Sequence, residues 1–219
     1  MNAAPPEPDL PPAPSVLTSR FPDCVASLER FSEWLGTAGI TRGLIGPREL
    51  PRLWDRHLLN SVAITELLPQ DIRLVDIGTG AGLPGLAIAI VRPDLRVDLV
   101  ESLQRRTDFL NEVVADLGLA ERVRVIRGRA EDRQVVEAVG STSFVTARAV
   151  APLDKLVRWS FPLLIQGGRL LAIKGESAEA EVAEHAIYLG RMRAEVAGIR
   201  ECGAGLVDPL VRVVELVRR

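Results

Sequence analysis

Apolar positions change their spacing once along this chain. Between Val16 and Leu68 they recur three and four residues apart; from Arg73 onward they gather into short continuous runs separated by amphipathic stretches. In the first part Val25, Leu28, Phe31 and Leu35 keep helical spacing and predict an amphipathic helix of about 20 residues ending near Gly36 or Gly39. A second helical stretch starts near Pro47, and a third runs from about Trp54 to Leu68, where Pro69 closes it. In the second part Arg73 to Ile77, Arg96 to Val100, Val123 to Ile126, Phe144 to Ala147 and Arg169 to Ile173 are short β-rich runs, as buried strands of a parallel sheet require. Helices are predicted between them at about 84–91, 102–117, 131–138 and 152–164, with another near 177–187. Two last strands, near 194–202 and 210–217, have no helix between them. Alternating elements of this kind make an α/β, doubly wound, seven-stranded sheet with an antiparallel last strand.

Before Val16 the pattern fails. Residues 1–15 are rich in proline and alanine, can bury little, and read as a disordered tail. The chain therefore divides into this tail, a small N-terminal helical element over 16–68, and an α/β domain over 69–219. At 219 residues and 47% hydrophobic it can bury one good core with a small appendage.

Composition mainly excludes. Cys24 and Cys202 are far apart, and with His57 and His185 they form no ligand-spaced cluster, so no metal is expected. No secretory signal and no membrane-length apolar stretch is present, which points to a cytoplasmic protein without a membrane partner. A formal net charge of −2 gives no global nucleic-acid signature, so any such site must be a local patch. No coiled-coil or long apolar seam appears, and a monomer is expected.

The chemistry is concentrated in Leu74 to Gly85, where an apolar strand meets Asp76 and then a turn carrying Gly78, Gly80, Gly82 and Gly85. A strand, a glycine turn and a helix N-terminus make the crevice in which α/β sheets hold adenosine cofactors. Gly80-x-Gly82-x-x-Gly85 also matches the dinucleotide fingerprint, so NAD competes. Asp76 before the first glycine favours S-adenosyl-L-methionine, whose amino-acid end is cationic, and would repel a pyrophosphate. Glu101 ends the second strand, where a carboxylate can accept from both ribose hydroxyls, as NAD sites also do.

Several stretches together carry a family resemblance. They are Trp54-Asp-Arg-His-Leu-Leu-Asn-Ser61, Asp76-Ile-Gly-Thr-Gly-Ala-Gly-Leu-Pro-Gly85, Glu101-Ser-Leu-Gln-Arg-Arg106, Arg129-Ala-Glu131, Ala147-Arg-Ala149 and Lys174-Gly175. In this order and spacing the chain resembles the ribosomal RNA small subunit methyltransferase G family, also called glucose-inhibited division protein B, over about residues 20–219. The resemblance implies a Rossmann-like class I S-adenosylmethionine-dependent methyltransferase fold. It implies methyl transfer to N7 of the guanine at position 527, in the 530 loop of 16S ribosomal RNA, within the small subunit or an assembly intermediate. It also implies Gly78 and Leu83 as cofactor contacts on the loop, Ala130 and Glu131 as contacts near the adenine, and Arg148 as a contact close to the reacting end. Asp76, Gly80 and Glu101 join them on the physical argument above. Glu101 departs from the family's more usual Asp, which keeps the carboxylate and lengthens its reach.

That target suits the residues. Guanine N7 is an unprotonated donor, so its attack on a sulfonium methyl needs no general base, and positioning with electrostatics should carry the rate. No Asn/Asp-Pro-Pro-Tyr segment is present for exocyclic amines, and neither cysteine has the context needed for covalent attack on a pyrimidine. Arg148 and Lys174, at the ends of the fourth and fifth strands, are the expected catalytic pair, lining the guanine pocket or its phosphates. His57 reads as a packing or capping residue, and Trp34, Trp54 and Trp159 as core anchors. Arg48, Arg52 and Arg56, four residues apart, can align on one helical face as a phosphate-binding stripe, with a plain solvated face as the alternative. A methyltransferase of a small molecule, of a protein or of another RNA, and an NAD-binding module, remain as competing functions.

Overall fold

The computed structural model describes residues 10–219, so residues 1–9 of the expected disordered tail lie outside the described residues. The rest of that segment is not loose. Trp54 Nε1 donates to the Pro11 carbonyl at 2.8 Å, and Leu10 packs against the core beside Gly36.

The N-terminal element is more broken than its periodicity suggests. It comprises α1 (Ser15–Arg20), a 3₁₀ turn at Pro22–Cys24, and α2 (Val25–Trp34) running into a π turn at Leu35–Gly39. Pro22 lacks the amide that a continuous helix would need, which splits the expected single helix. A 3₁₀ segment at Pro47–Arg52, a π turn at Leu53–Leu58, α3 (Leu59–Ala63) and a 3₁₀ turn at Ile64–Leu67 complete it.

The sheet follows. Its strands are β1 (Arg73–Ile77), β2 (Arg96–Glu101), β3 (Val123–Arg127), β4 (Thr142–Arg148), β5 (Leu164–Lys174), β6 (Ala194–Cys202) and β7 (Val211–Arg218). They lie in the order β3-β2-β1-β4-β5-β7-β6, with β7 antiparallel to both its neighbours and the first five strands parallel. The helices are α4 (Gly85–Val91), α5 (Gln104–Asp116), α6 (Arg133–Val139), α7 (Leu153–Ser160) and α8 (Ala178–Arg191).

Alternate residues of each strand feed two cores. Leu74, Leu99 and Leu171 face one core, shared with α2, α3, α4 and α5; Val75, Val100 and Leu170 face the other, under α6, α7 and α8. Every residue of α4 is buried, because the N-terminal element covers the side that a surface helix would show to water. Trp34 meets Phe109 of α5 edge-on at 5.9 Å and donates from Nε1 to Asp116 at 2.8 Å. Arg42 adds a two-nitrogen clasp on Glu112, at 2.9 and 2.6 Å. The N-terminal element is thus one body with the sheet. Strand order reverses between β1 and β4, and in sheets of this type ligands bind at that reversal, beyond the carboxyl ends of the strands.

Candidate active site

The glycine turn leaves β1 at that reversal, and two buried carboxylates set its shape. Asp76, wholly buried, accepts from the Gly85 amide at 2.9 Å and from the Thr146 hydroxyl at 2.8 Å. It therefore ties the end of β1 to the start of α4 across the turn, beneath the cleft, instead of facing a cofactor's cationic end as the sequence suggests. Burial pushes its pKa up to about 6, which leaves it mostly ionised at neutral pH. Glu101 accepts from the Gly80 amide at 3.1 Å and the Leu103 amide at 2.9 Å, and pairs with Arg106 at 3.3 Å. Both of its oxygens already have protein partners; a ribose would have to share them.

Gly85 has no room for a side chain, since a Cβ there would stand 2.6 Å from Asp76 Cβ and 2.6 Å from a Leu99 methyl. Gly80 is the opposite case. At φ +61 its missing side chain would project into space with only the Gly78 carbonyl near, at 3.9 Å, so this turn keeps an open cradle.

Two cavities open off the turn. One, of about 210 Å³, is lined by Ile77, Gly78, Val100, Ser102, Gly128, Arg129, Ala130, Glu131, Val150 and Trp159. It holds three of the residues expected near a cofactor, Gly78, Ala130 and Glu131, in a largely apolar slot with the dimensions of a purine-sized group. Trp159, which sequence reading makes a core anchor, is part of its wall; the amphipathic pattern of α7 cannot show that its apolar face ends at a cavity. The other cavity, of about 270 Å³, is lined by Leu44, Ile45, Gly46, Glu49, His57, Gly78, Thr79, Gly80, Ala81, Leu83, Arg106, Arg148 and Ala149. It joins the glycine turn, with Gly80 and Leu83, to the N-terminal element.

The amides decide between the adenosine cofactors. Those of Gly78 and Thr79 bond the Val100 carbonyl, those of Gly82 and Leu83 bond the Thr79 carbonyl, and those of Gly80 and Gly85 bond the two carboxylates. A diphosphate needs a run of free amides at this point; six in this turn are taken and only that of Ala81 has no partner among the described residues, with two carboxylates close by. The cleft fits S-adenosyl-L-methionine, which has no phosphate and whose amino-acid end can lie in the cradle at Gly80.

Arg148 ends β4 and reaches into the N-terminal element. Its Nη2 lies 2.7 Å from His57 Nδ1, and its Nη1 donates to the carbonyls of Arg56 and His57 at 3.3 and 3.2 Å and to the Ser61 hydroxyl at 3.4 Å. A guanidinium only donates, so His57 Nδ1 accepts and its Nε2–H is left to donate to Glu49 Oε2, at 2.9 Å. Burial, then the neighbouring Arg148, holds the His57 pKa below its ordinary value, consistent with a neutral ring. Burial also lowers Arg148, to about 10, still charged at neutral pH. His57 does pack the helical segment, as expected, but it does so as the middle of a Glu49–His57–Arg148 chain on the cavity wall. Glu49 escaped the sequence reading; its only signal there is an acid within an arginine-rich turn.

Lys174 is placed elsewhere. Its ammonium donates to the Ala151 carbonyl at 2.8 Å and to Glu181 at 2.7 Å, and it lines a separate open cavity with Ala149, Asp154 and His185. It pins the loop after β4, so the structure does not bring it together with Arg148. Arg48, Arg52 and Arg56 are all exposed, but the first two lie in a 3₁₀ segment. At three residues per turn, a four-residue step rotates one about 120° from the other, so the three do not form the straight stripe that α-helical spacing predicts. Arg56 is also drawn toward Glu49, at 3.7 Å.

Comparison with known proteins places this architecture. The model of the rRNA small subunit methyltransferase G family, GidB, matches residues 25–207, which takes in the N-terminal element from α2 onward and both cavities. The chain belongs to the rRNA small subunit methyltransferase G family. Ribosomal RNA small subunit methyltransferase G of Mycobacterium marinum is 55% identical over 186 residues, 85% of this chain and 81% of that protein. The protein of the same name from Salinispora tropica is 49% identical over 221 residues, 99% of this chain and 89% of that protein. Among solved structures, Aeropyrum pernix fibrillarin with bound S-adenosyl-L-methionine superimposes with a TM-score of 0.56 at 19% identity, covering 73% of this chain and 76% of that one. The mitomycin 7-O-methyltransferase MmcR gives 0.55 at 20% identity, over 94% and 60%. Both confirm a Rossmann-like methyltransferase fold. Within the rRNA small subunit methyltransferase G family, then, the N-terminal element of this member is a wall of the site and not an appendage. Among the described residues no cluster of metal ligands occurs, and no helix is long and apolar enough to cross a membrane.

Proposed function

We propose that this protein transfers the methyl group of S-adenosyl-L-methionine to N7 of a guanine in 16S ribosomal RNA, the one at position 527 in the 530 loop. Its substrate form is the small subunit or an assembly intermediate, where the RNA already has its shape. The observation that carries this reading, beside family membership, is the absence of a neutral-pH base among the described residues lining the cavity below Arg148. His57 has both ring nitrogens committed, and the bond from His57 holds Glu49 below the usual carboxylate range. Such a cavity suits an acceptor atom with no proton to lose. The bound cofactor supplies the electrophilic methyl.

In this reading Gly78, Ala130 and Glu131 hold the adenosine half, with Glu101 at the ribose. Gly80 and Leu83 border the amino-acid half, and Asp76 braces the turn from below. Arg148 stands on the wall where the methyl is presented. Lys174 fixes the loop after β4, whose Ala149 and Val150 reach both cavities of the turn. The exposed guanidiniums of Arg48, Arg52 and Arg56 contact the RNA backbone beside that entrance. The test is transfer of labelled methyl to small subunits that lack this modification, followed by mapping of the modified nucleotide. Label on N7 at position 527 is expected. Label on another nucleotide, or only on a small molecule or protein, would overturn the assignment.

A further inference from the structure

Methyl transfer to a ring nitrogen moves charge. The N7 lone pair forms a bond to the methyl carbon, the carbon–sulfur bond breaks with its electron pair going to sulfur, and no proton leaves. The positive charge that began on sulfur ends on the purine ring. A site that accelerates this step needs a negative group placed where the charge arrives and not where it starts.

The cavity supplies one. Among the described residues lining it, Glu49 is the only carboxylate; Arg106 and Arg148 are its cations. Arg106 is paired with Glu101, and both ends of the Arg148 guanidinium are bound to the N-terminal element. The carboxylates beneath the turn, Asp76 and Glu101, are buried and bonded to its amides. Glu49 differs from both. One of its oxygens is fixed by His57 and flanked by Arg56, while the side chain as a whole stays one-third exposed. Among the described residues no hydrogen-bond donor engages the second oxygen.

We infer that Glu49, oriented by His57, is the counter-ion for the cation that forms on the acceptor ring, and that its free oxygen lies against that ring. The inference rests on the proposed guanine N7 acceptor. It gives the N-terminal element a part in the chemistry: Glu49 and His57 belong to that element, the glycine turn to the sheet, and Arg148 joins them.

Glu49→Gln tests this, because a glutamine oxygen still accepts from His57 while the charge is gone. Single-turnover methyl transfer to unmodified small subunits is expected to fall about 100-fold, with the affinity for S-adenosylhomocysteine within two-fold of wild type. A second readout separates charge from shape. The wild-type complex with S-adenosylhomocysteine should bind an RNA fragment carrying cationic 7-methylguanosine more tightly than the unmethylated fragment, and Glu49→Gln should lose that preference. Transfer within about two-fold of wild type, or an undiminished preference, would overturn the inference. If Glu49→Gln has no cooperative melt, Glu49→Asp against Glu49→Asn asks the same question; equal rates in that pair would sink it. Wild-type label on N7 with an indifferent Glu49→Gln removes only the role of Glu49, whereas wild-type enzyme that labels no N7 removes both readings.

Discussion

The two cavities share the glycine turn, and Gly78 belongs to both, yet they are built in different ways. The slot beside Ala130 is made by residues that directly follow β1, β2, β3 and β4, so the sheet alone assembles most of it. The cavity under Arg148 needs Leu44 to His57 to be brought against Gly78 to Leu83 and Ala149, segments that only packing of the N-terminal element unites. One half of the site is a product of topology, the other of tertiary contact. They should therefore fail separately.

The strongest way to break the comparison is to damage the turn they share. Gly85→Ala puts a methyl into Asp76 and Leu99 and should cost about 3 kcal/mol of stability, with S-adenosylhomocysteine binding lost. Urea unfolding and calorimetry read both effects; near-normal binding would show that the tie between Asp76 and Gly85 does not shape the turn. Next in size is a pH effect confined to that tie. The Asp76 carboxyl titrates near 6 in the folded protein against an ordinary 3.8, so the folded state holds this proton more tightly than the unfolded chain. Stability from this group is complete below about pH 4 and is lost as pH rises through 6, by about 3 kcal/mol. Asp76→Asn does not titrate. The stability of the ligand-free wild type relative to Asp76→Asn should fall by most of that amount between pH 4 and pH 7, and a constant difference would contradict it.

Arg148→Lys sharpens the comparison from the other side. It keeps the charge but cannot reach His57, two carbonyls and Ser61 with one ammonium. Methyl transfer should drop about 10- to 100-fold, with cofactor affinity nearly unchanged; equal losses in both would mean that the two cavities are one functional unit. The smallest effect lies outside both. Replacing Arg48 and Arg52 by Gln should leave cofactor affinity untouched and lower the salt dependence of RNA binding by about 1–2 in log–log slope. An unchanged slope would return these arginines to a solvated face.

The same contrast explains what could be read from the amino acids. The strands, their antiparallel end and the glycine turn are local patterns, and each was visible as an apolar run or a motif. Gly78, Ala130 and Glu131 fall together because they follow strand ends. Asp76 was found for a reason the structure revises: its position at the strand end is readable, but not that its side chain turns down toward Gly85 and Thr146. Lys174 illustrates a further limit. A cation at a strand end is evident in sequence, whereas its partner Glu181 is set by the packing of α8. Glu49 and Trp159 were missed because what marks them is a neighbour, His57 in one case and a cavity in the other. The α-helical phase assumed for Arg48 and Arg52 fails since Pro47 and Pro51 hold that segment in a 3₁₀ turn.

The strand order carries a consequence for the birth of this molecule. Because β7 lies between β5 and β6, β6 leaves the ribosome before the strand it pairs with exists. Throughout that interval Ala194–Cys202 has no ladder, and β5 presents an open edge. β7 then enters the interior of the sheet and closes both gaps at once, so completion of the sheet waits on translation of this segment. Premature termination before Val211 would thus leave two unpaired edges, a species suited to aggregation and to early destruction by proteases.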